Sequence, residues 1–213
     1  KQRQKNRIPQ ASIIGYTNAG KSSLLNYCTN AEVTAENKLF ATLDPTTREW
    51  ELSGGMKLLL TDTVGFVRNL PHDLVQAFHS TLEESVYADF LIHVADASSR
   101  EIESHITTTG EVIDNLKLGD KPKLLVFNKI DKVRDKGTLS VLQAKYSDAV
   151  FLSLKTGEGL DEFEERVTGI IREQYIPKSY EIPLSRHDLI AFIHRHGEVL
   201  AKEYRDNVIS VAA

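Results

Sequence analysis

A short apolar run, Ala11–Ile14, ends on Gly15 and leads into the stretch GYTNAGKS, Gly15 to Ser22, with a helical pattern following from Lys21 through Cys28. No other feature restricts the fold as tightly. A buried strand that runs into a glycine-rich loop and then a helix must cross over to a parallel neighbour, so the pattern predicts an α/β sheet. Gly15 and Gly20 let the backbone turn so that successive N–H groups point at one centre. The helix that begins near Lys21 aims its positive end at the same place. The spacing GxxxxGK[ST] is that of a phosphate-binding loop. Lys21 is expected to reach the β- and γ-phosphates and Ser22 to ligate Mg²⁺. Tyr16, Thr17, Asn18, Ala19 and Ser23 complete the expected cradle.

The rest of the chain alternates in the same sense. Trp50 and Leu52, then Ser53-Gly54-Gly55, then Leu58–Leu60, read as a hairpin. Leu74, Phe78, Leu82 and Val86 recur every four residues and predict a helix over 73–87. Phe90–Ala95, Leu124–Phe127 and Val150–Leu152 read as buried strands. Between and after them, helices are marked by Ile102, Ile106, Ile113 and Leu116, by Leu139, Leu142 and Tyr146, and by Leu160, Phe163, Val167, Ile170 and Ile171. Residues 31–47, with Asp44-Pro45, read as a loop. The expected architecture is a mostly parallel six-stranded sheet with one antiparallel edge strand and helices on both faces. Pro177 and Pro183 interrupt the pattern. From Tyr180 the chain reads strand, helix over 187–196, Gly197, strand, turn at Asp206-Asn207, strand. A small α+β unit is therefore expected over 177–213, with residues 9–176 as the nucleotide-binding domain and 1–8 as the end of a basic linker.

The phosphate loop does not name the base; NKID does. Asn128 to Asp131 follow a strand, where open α/β sheets bind ligands. The Asp131 carboxylate can accept from guanine N1–H and N2–H₂, a donor pair that adenine lacks. Lys129 would lay its aliphatic stem along the nucleotide, and Ile130 lies between them in the motif. Ser153, Leu154 and Lys155 stand just after the last strand, placed to offer backbone N–H groups to the guanine carbonyl. In DTVG, Asp62 ends a strand and can hold Mg²⁺ through water, followed by Thr63 and Val64. Gly65 can offer its N–H to a γ-phosphate, the group that separates GTP from GDP. Lys21, Thr42 and Gly65 are the expected catalytic residues. The metal ligands are expected to be Ser22, Thr42 and Asp62, with Thr46 and Thr47 as rivals of Thr42.

Taken together, GYTNAGKS, LFATLDPTTR over 39–48, DTVGFVRNLP over 62–71 and NKID resemble the HflX family of P-loop GTPases. The likeness runs over nearly the whole chain from about Ile8, and YEIPLSRHDLIAFIHRHGEVL is similar to that family's small C-terminal domain. Thr42 is preferred as switch hydroxyl because Phe40, Ala41, Thr42, Leu43 and Asp44 resemble a known switch motif. The resemblance implies a cytoplasmic GTP/GDP-binding protein that acts on the large ribosomal subunit and its rRNA, splitting or rescuing stalled or stressed ribosomes. It also implies a glycine-rich N-terminal domain as the main ribosomal contact, with KQRQKNR as the end of a linker from it. A chain that opens on Lys1 rather than Met fits such an excised piece. GTPases in ribosome assembly or tRNA modification are the alternative reading, and a passive interaction module is the third.

Phe66 stands where many GTPases place a glutamine that orients the attacking water. Its ring neither donates nor accepts, so water must be positioned from elsewhere and slow turnover is expected. Arg48 and Arg68 flank the switches and are expected to meet solvent or a partner. In a group of GTPases an asparagine at the position of Asn18 ligates K⁺; the other reading is that Asn18 only shapes the loop. The net charge of -4 divides into four positive charges on residues 1–7 and about -8 on the rest. No apolar run approaches the length of a membrane span, and nothing resembles a secretory leader. Cys28 is alone, so no intrachain disulfide can form; it is expected in the core. A monomer is expected.

Overall fold

The structure, a computed structural model, describes residues 8–30, 46–66, 85–174, 178–196, 199, 201–205 and 207–212. Two compact units are distinguished, one spanning Ile8–Ile170 and one taking in Ile171–Ala213.

The larger unit opens with β1 (Gln10–Gly15), α1 (Lys21–Thr29) and the strands β2 (Thr46–Glu51) and β3 (Lys57–Asp62). It continues with β4 (Phe90–Asp96), α2 (Ile102–Asn115), β5 (Lys123–Asn128), a 3-10 turn at Ile130–Lys132, α3 (Lys136–Lys145), β6 (Val150–Phe151) and α4 (Leu160–Gln174). The strands form one sheet in the order β2-β3-β1-β4-β5-β6. Only β2 and β3 pair antiparallel; the other pairs are parallel. From β1 the chain fills one edge of the sheet and then the other. The direction of winding reverses beside β1, which is where such sheets leave a crevice past their strand ends.

The continuous apolar strands of the sequence are the central ones. Ala11–Gly15 and Phe90–Ala95 are buried at every position, so both faces of the sheet are covered there. On one face Ile14, Val64, Phe66 and Leu91 pack with Ile113 of α2 and with Leu118 just beyond it. A second cluster joins Ala95, Phe127 and Ile130 to Ile102 and Leu142. β2 is different: only Trp50 is buried, stacked on Phe163 of α4 with ring centres 5.7 Å apart. Its exposed Arg48, Glu49 and Glu51 are charges of the kind that blunt an open sheet edge. β2 begins at Thr46, so the loop expected over 31–47 ends earlier than its composition suggests. The cause lies across the hairpin: Thr47 Oγ1 and Thr61 Oγ1 are 2.8 Å apart, which ties the Thr-rich stretch into the ladder. Of the helix expected over 73–87, residues 85–87 are helical and the remainder lies outside the described residues.

The smaller unit carries β7 (Ser179–Pro183), α5 (His187–His196), β8 (Ala201–Arg205) and β9 (Val208–Ala212). The strands are antiparallel in the order β7-β9-β8. Ile182, Ile209 and Val211 share one face by strand alternation and pack with Ile190 of α5.

Candidate nucleotide-binding site

The expected phosphate loop lies between β1 and α1. Its two glycines are needed for close approach as well as for conformation. Gly15 has φ 149°, and a Cβ there would fall 2.1 Å from the Val94 carbonyl oxygen on β4. Gly20 has φ 105°, and its Cβ would fall 2.2 Å from Nδ2 of Asn128. Between them Asn18 is exposed at φ 60°. α1 then starts without a side-chain cap and without an acidic residue in its first turn, so no carboxylate there offsets its positive end.

Lys21 is buried, and its Nζ donates to the Tyr16 carbonyl at 3.2 Å. Burial pushes its ammonium down to about 8, against the opposing pull of Asp62. A buried cation in this state gains from an arriving anion. Ser22 Oγ donates to Asp62 Oδ2 at 2.6 Å, which brings a hydroxyl and a carboxylate from α1 and β3 together. That pair of oxygens suits a hard divalent cation such as Mg²⁺. Thr63 donates to the Ile13 carbonyl at 2.8 Å and holds the strand end in place. A Cβ on Gly65 would meet Lys21 Nζ at 2.8 Å and Thr17 Cα at 2.9 Å, so glycine is what lets the two loops touch.

Phe66 points away from this centre. It is 1% exposed within the cluster of Ile14, Leu91 and Ile113. Its backbone bonds to the phosphate loop at both groups, N–H to Gly15 O at 3.1 Å and C=O from Thr17 N at 2.8 Å.

The NKID segment reaches the same place from β5. Asn128 Nδ2 donates to the Ala19 carbonyl at 3.0 Å. Its Oδ1 accepts from Lys129 N at 2.7 Å and from Leu154 N at 3.4 Å. One buried amide thus ties three loops together. Ile130 is buried below, and Asp131 stays exposed at the surface of its turn. Ser153 Oγ donates to Asp131 Oδ1 at 2.7 Å. The Ser153 N–H is spent on the Glu158 carbonyl at 2.9 Å, and the Leu154 N–H on Asn128 Oδ1. Phe40, Ala41, Thr42, Leu43, Asp44 and Arg68 lie outside the described residues. Ser23 is half-buried on α1, and Thr46 sits at the start of β2. Cys28 is buried, with its thiol pushed up by desolvation.

Three participants were not singled out from the sequence. His105 of α2 stacks on Tyr16 with ring centres 3.8 Å apart. Asp96 meets Lys129 at the end of β4. His93, in the middle of β4, is buried and pushed down to about 4, first by desolvation and then by Lys123 and Lys21. A lone histidine in the apolar run FLIHVA was a readable signal, as was an acid closing a strand that leads to the same crevice.

Comparison with known proteins agrees with this geometry. The sequence model of a family described as 50S ribosome-binding GTPase matches residues 10–129, more than half of the 213. The GTPase HflX of Lacrimispora saccharolytica is 47% identical over all of the chain and half of its own length. That of Akkermansia muciniphila is 48% identical over 96% of the chain and 48% of its own length. The chain thus spans about half the length of these curated relatives. Among solved structures, a GTP-binding protein from Sulfolobus solfataricus in complex with GDP superposes with a TM-score of 0.67 at 27% identity, over 79% of this chain and 54% of that one. No helix among the described residues is long and apolar enough to cross a membrane. Phosphate loop, strand-end aspartate, NKID turn and sequence likeness converge: the chain belongs to the 50S ribosome-binding GTPase family, on the side of its HflX members.

Proposed function

We propose that this chain binds Mg²⁺ and GTP, hydrolyses the nucleotide, and uses the cycle as a switch on the large ribosomal subunit in the cytoplasm, separating stalled or stressed ribosomes. Residues 9–176 form the nucleotide-binding domain in this reading, and 177–213 a small C-terminal domain. The observation that carries it is the Asn128 side chain, which binds the phosphate loop, the NKID turn and the Leu154 loop at once. Its neighbour Asp131 is turned by Ser153 and presents a carboxylate edge to the base. Guanine supplies N–H donors to that edge. Adenine leaves it unmatched at a cost of about 1–3 kcal/mol.

The phosphates lie over the N-terminus of α1, where Lys21 supplies charge at short range. Ser22 and Asp62, with Thr42, would hold Mg²⁺, which when bound neutralises charge on the phosphate oxygens. Gly65 offers its N–H to the γ-phosphate. Phe66 is committed to the core and cannot orient water, so this chain alone turns over slowly, on the order of 10⁻⁴–10⁻² s⁻¹. The ribosome supplies the acceleration, reached chiefly through sequence outside this chain and its rRNA contacts. K⁺ beside Asn18 would add positive charge near the transferred group.

The reading is tested by calorimetry with GDP and ADP, and by phosphate release with and without large ribosomal subunits. GDP is expected to bind about 5- to 150-fold more tightly than ADP, and subunits to speed release. Equal affinity for the two nucleotides, or turnover near 1 s⁻¹ by the chain alone, would each defeat it.

A further inference from the structure

Asp96 closes β4 and belongs to none of the motifs above. In the sheet it pairs in register with Asn128, and Ala97 N donates to the Asn128 carbonyl at 2.8 Å. The end of β4 therefore runs beside the start of NKID. Asp96 Oδ2 lies 2.7 Å from Lys129 Nζ, with both side chains 22% exposed. Asp96 Oδ1 accepts from Ser98 N at 2.9 Å and from Ser98 Oγ at 2.6 Å, which fixes the carboxylate plane. The same Lys129 ammonium also donates to the Asn18 carbonyl in the phosphate loop. Lys129 and Asn18 are both left-handed, at φ 64° and 60°. Such a backbone conformation is uncommon outside glycine and persists only when its surroundings hold it. The carbonyl of one left-handed residue thus meets the ammonium carried by the other, and Asp96 is the anion that keeps the ammonium there.

We propose that Asp96 is a positioning residue for nucleotide retention: it pins Lys129 Nζ against the Asn18 carbonyl, locking the base-recognition turn to the phosphate loop. The proposal rests on the reading of this crevice as a guanine nucleotide site. A free lysine stem has many rotamers, and binding must freeze them. Held at its tip at two points, the stem is already laid across the site when the nucleotide arrives. Ordering that would otherwise accompany binding is done beforehand, which slows dissociation more than it changes association. The ion pair itself is partly exposed and contributes little to stability. What Asp96 supplies is placement.

The test uses the whole chain with Mg²⁺ and follows dissociation of fluorescent GDP and GTP analogues. Asp96→Asn keeps the shape and removes the charge. It is expected to release both nucleotides about tenfold faster, with KM for GTP rising in proportion and kcat moving less than about twofold. Asp96→Glu should recover most of the loss. Because Asp96 acts through Lys129, Asp96→Asn placed on Lys129→Ala should add less than about twofold. Thermal unfolding without nucleotide separates a general weakening of the turn, which would lower the melting point while leaving dissociation unchanged. Dissociation from Asp96→Asn within twofold of wild type overturns the proposal, and so does a full additive effect on Lys129→Ala. A wild-type chain that retains no guanine nucleotide overturns both this proposal and the reading beneath it.

Discussion

His93 should make the nucleotide-binding unit acid-labile. It lies in the centre of the sheet, in register with Ile14 on one side and Leu125 on the other, and is 7% exposed. Desolvation disfavours the imidazolium, and Lys123 and Lys21 repel it, so the ring is pushed down from an ordinary 6.5 to about 4. In the unfolded chain the ring charges near 6.5; in the folded chain it stays neutral to about 4. Between those values the unfolded state holds the extra proton, so stability falls as pH falls through that window and is fully present above it. Each pH unit in the window removes about 1.4 kcal/mol, or about 3 kcal/mol in all. Domains have roughly 5–15 kcal/mol to lose. The assay is urea unfolding of nucleotide-free chain at pH 7, 6, 5 and 4.5, beside His93→Leu. Leucine fits the apolar row and cannot titrate, so wild type should lose about 2.5 kcal/mol more than the variant between pH 7 and 4.5. Other carboxylates and histidines titrate equally in both chains and cancel. Parallel stability curves for the two would refute the argument that His93 is held neutral.

Gly20→Ala would drive a methyl into Asn128 at a backbone angle alanine resists, and is expected to weaken GDP binding by about 10- to 100-fold in calorimetry. Phe66→Gln, which restores the residue type many GTPases use, should not speed phosphate release. It would instead bury an amide among Ile14, Leu91 and Ile113 and lower unfolding stability by about 3 kcal/mol or more. Hydrolysis measured in K⁺ and in Na⁺ at equal ionic strength should be faster in K⁺; equal rates remove the role assigned to Asn18.

Much of the sheet was legible because parallel strands buried on both faces write themselves as unbroken apolar runs. Phe90–Ala95 could be nothing else. Composition failed at Thr46 and Thr47, where threonine is equally at home in a loop and on an edge strand. Only the pairing across to Thr61 decides between them, and pairing is not local information. The bounds of α4 were similarly blurred: Leu160, Phe163, Val167, Ile170 and Ile171 mark its apolar face, but nothing in that periodicity says the helix continues past Ile171 to Gln174.

At the site, motif spacing located the loops and missed what joins them. NKID announces a base-recognition turn, yet the bond from Asn128 to Ala19 spans 109 residues of sequence. The left-handed Asn18 and Lys129 show why local rules are poor guides here. Lysine has no intrinsic reason to adopt φ 64°, and a propensity argument would count it as an error. It is tolerated because its ammonium reaches Asp96 and its N–H reaches Asn128 Oδ1. Strain of this kind marks places where the fold holds a backbone against its preference so that a ligand meets it ready-made. Gly65 carries the same logic without strain. Its missing side chain lets Lys21 and Thr17 close on one point, and any larger residue would part the two loops.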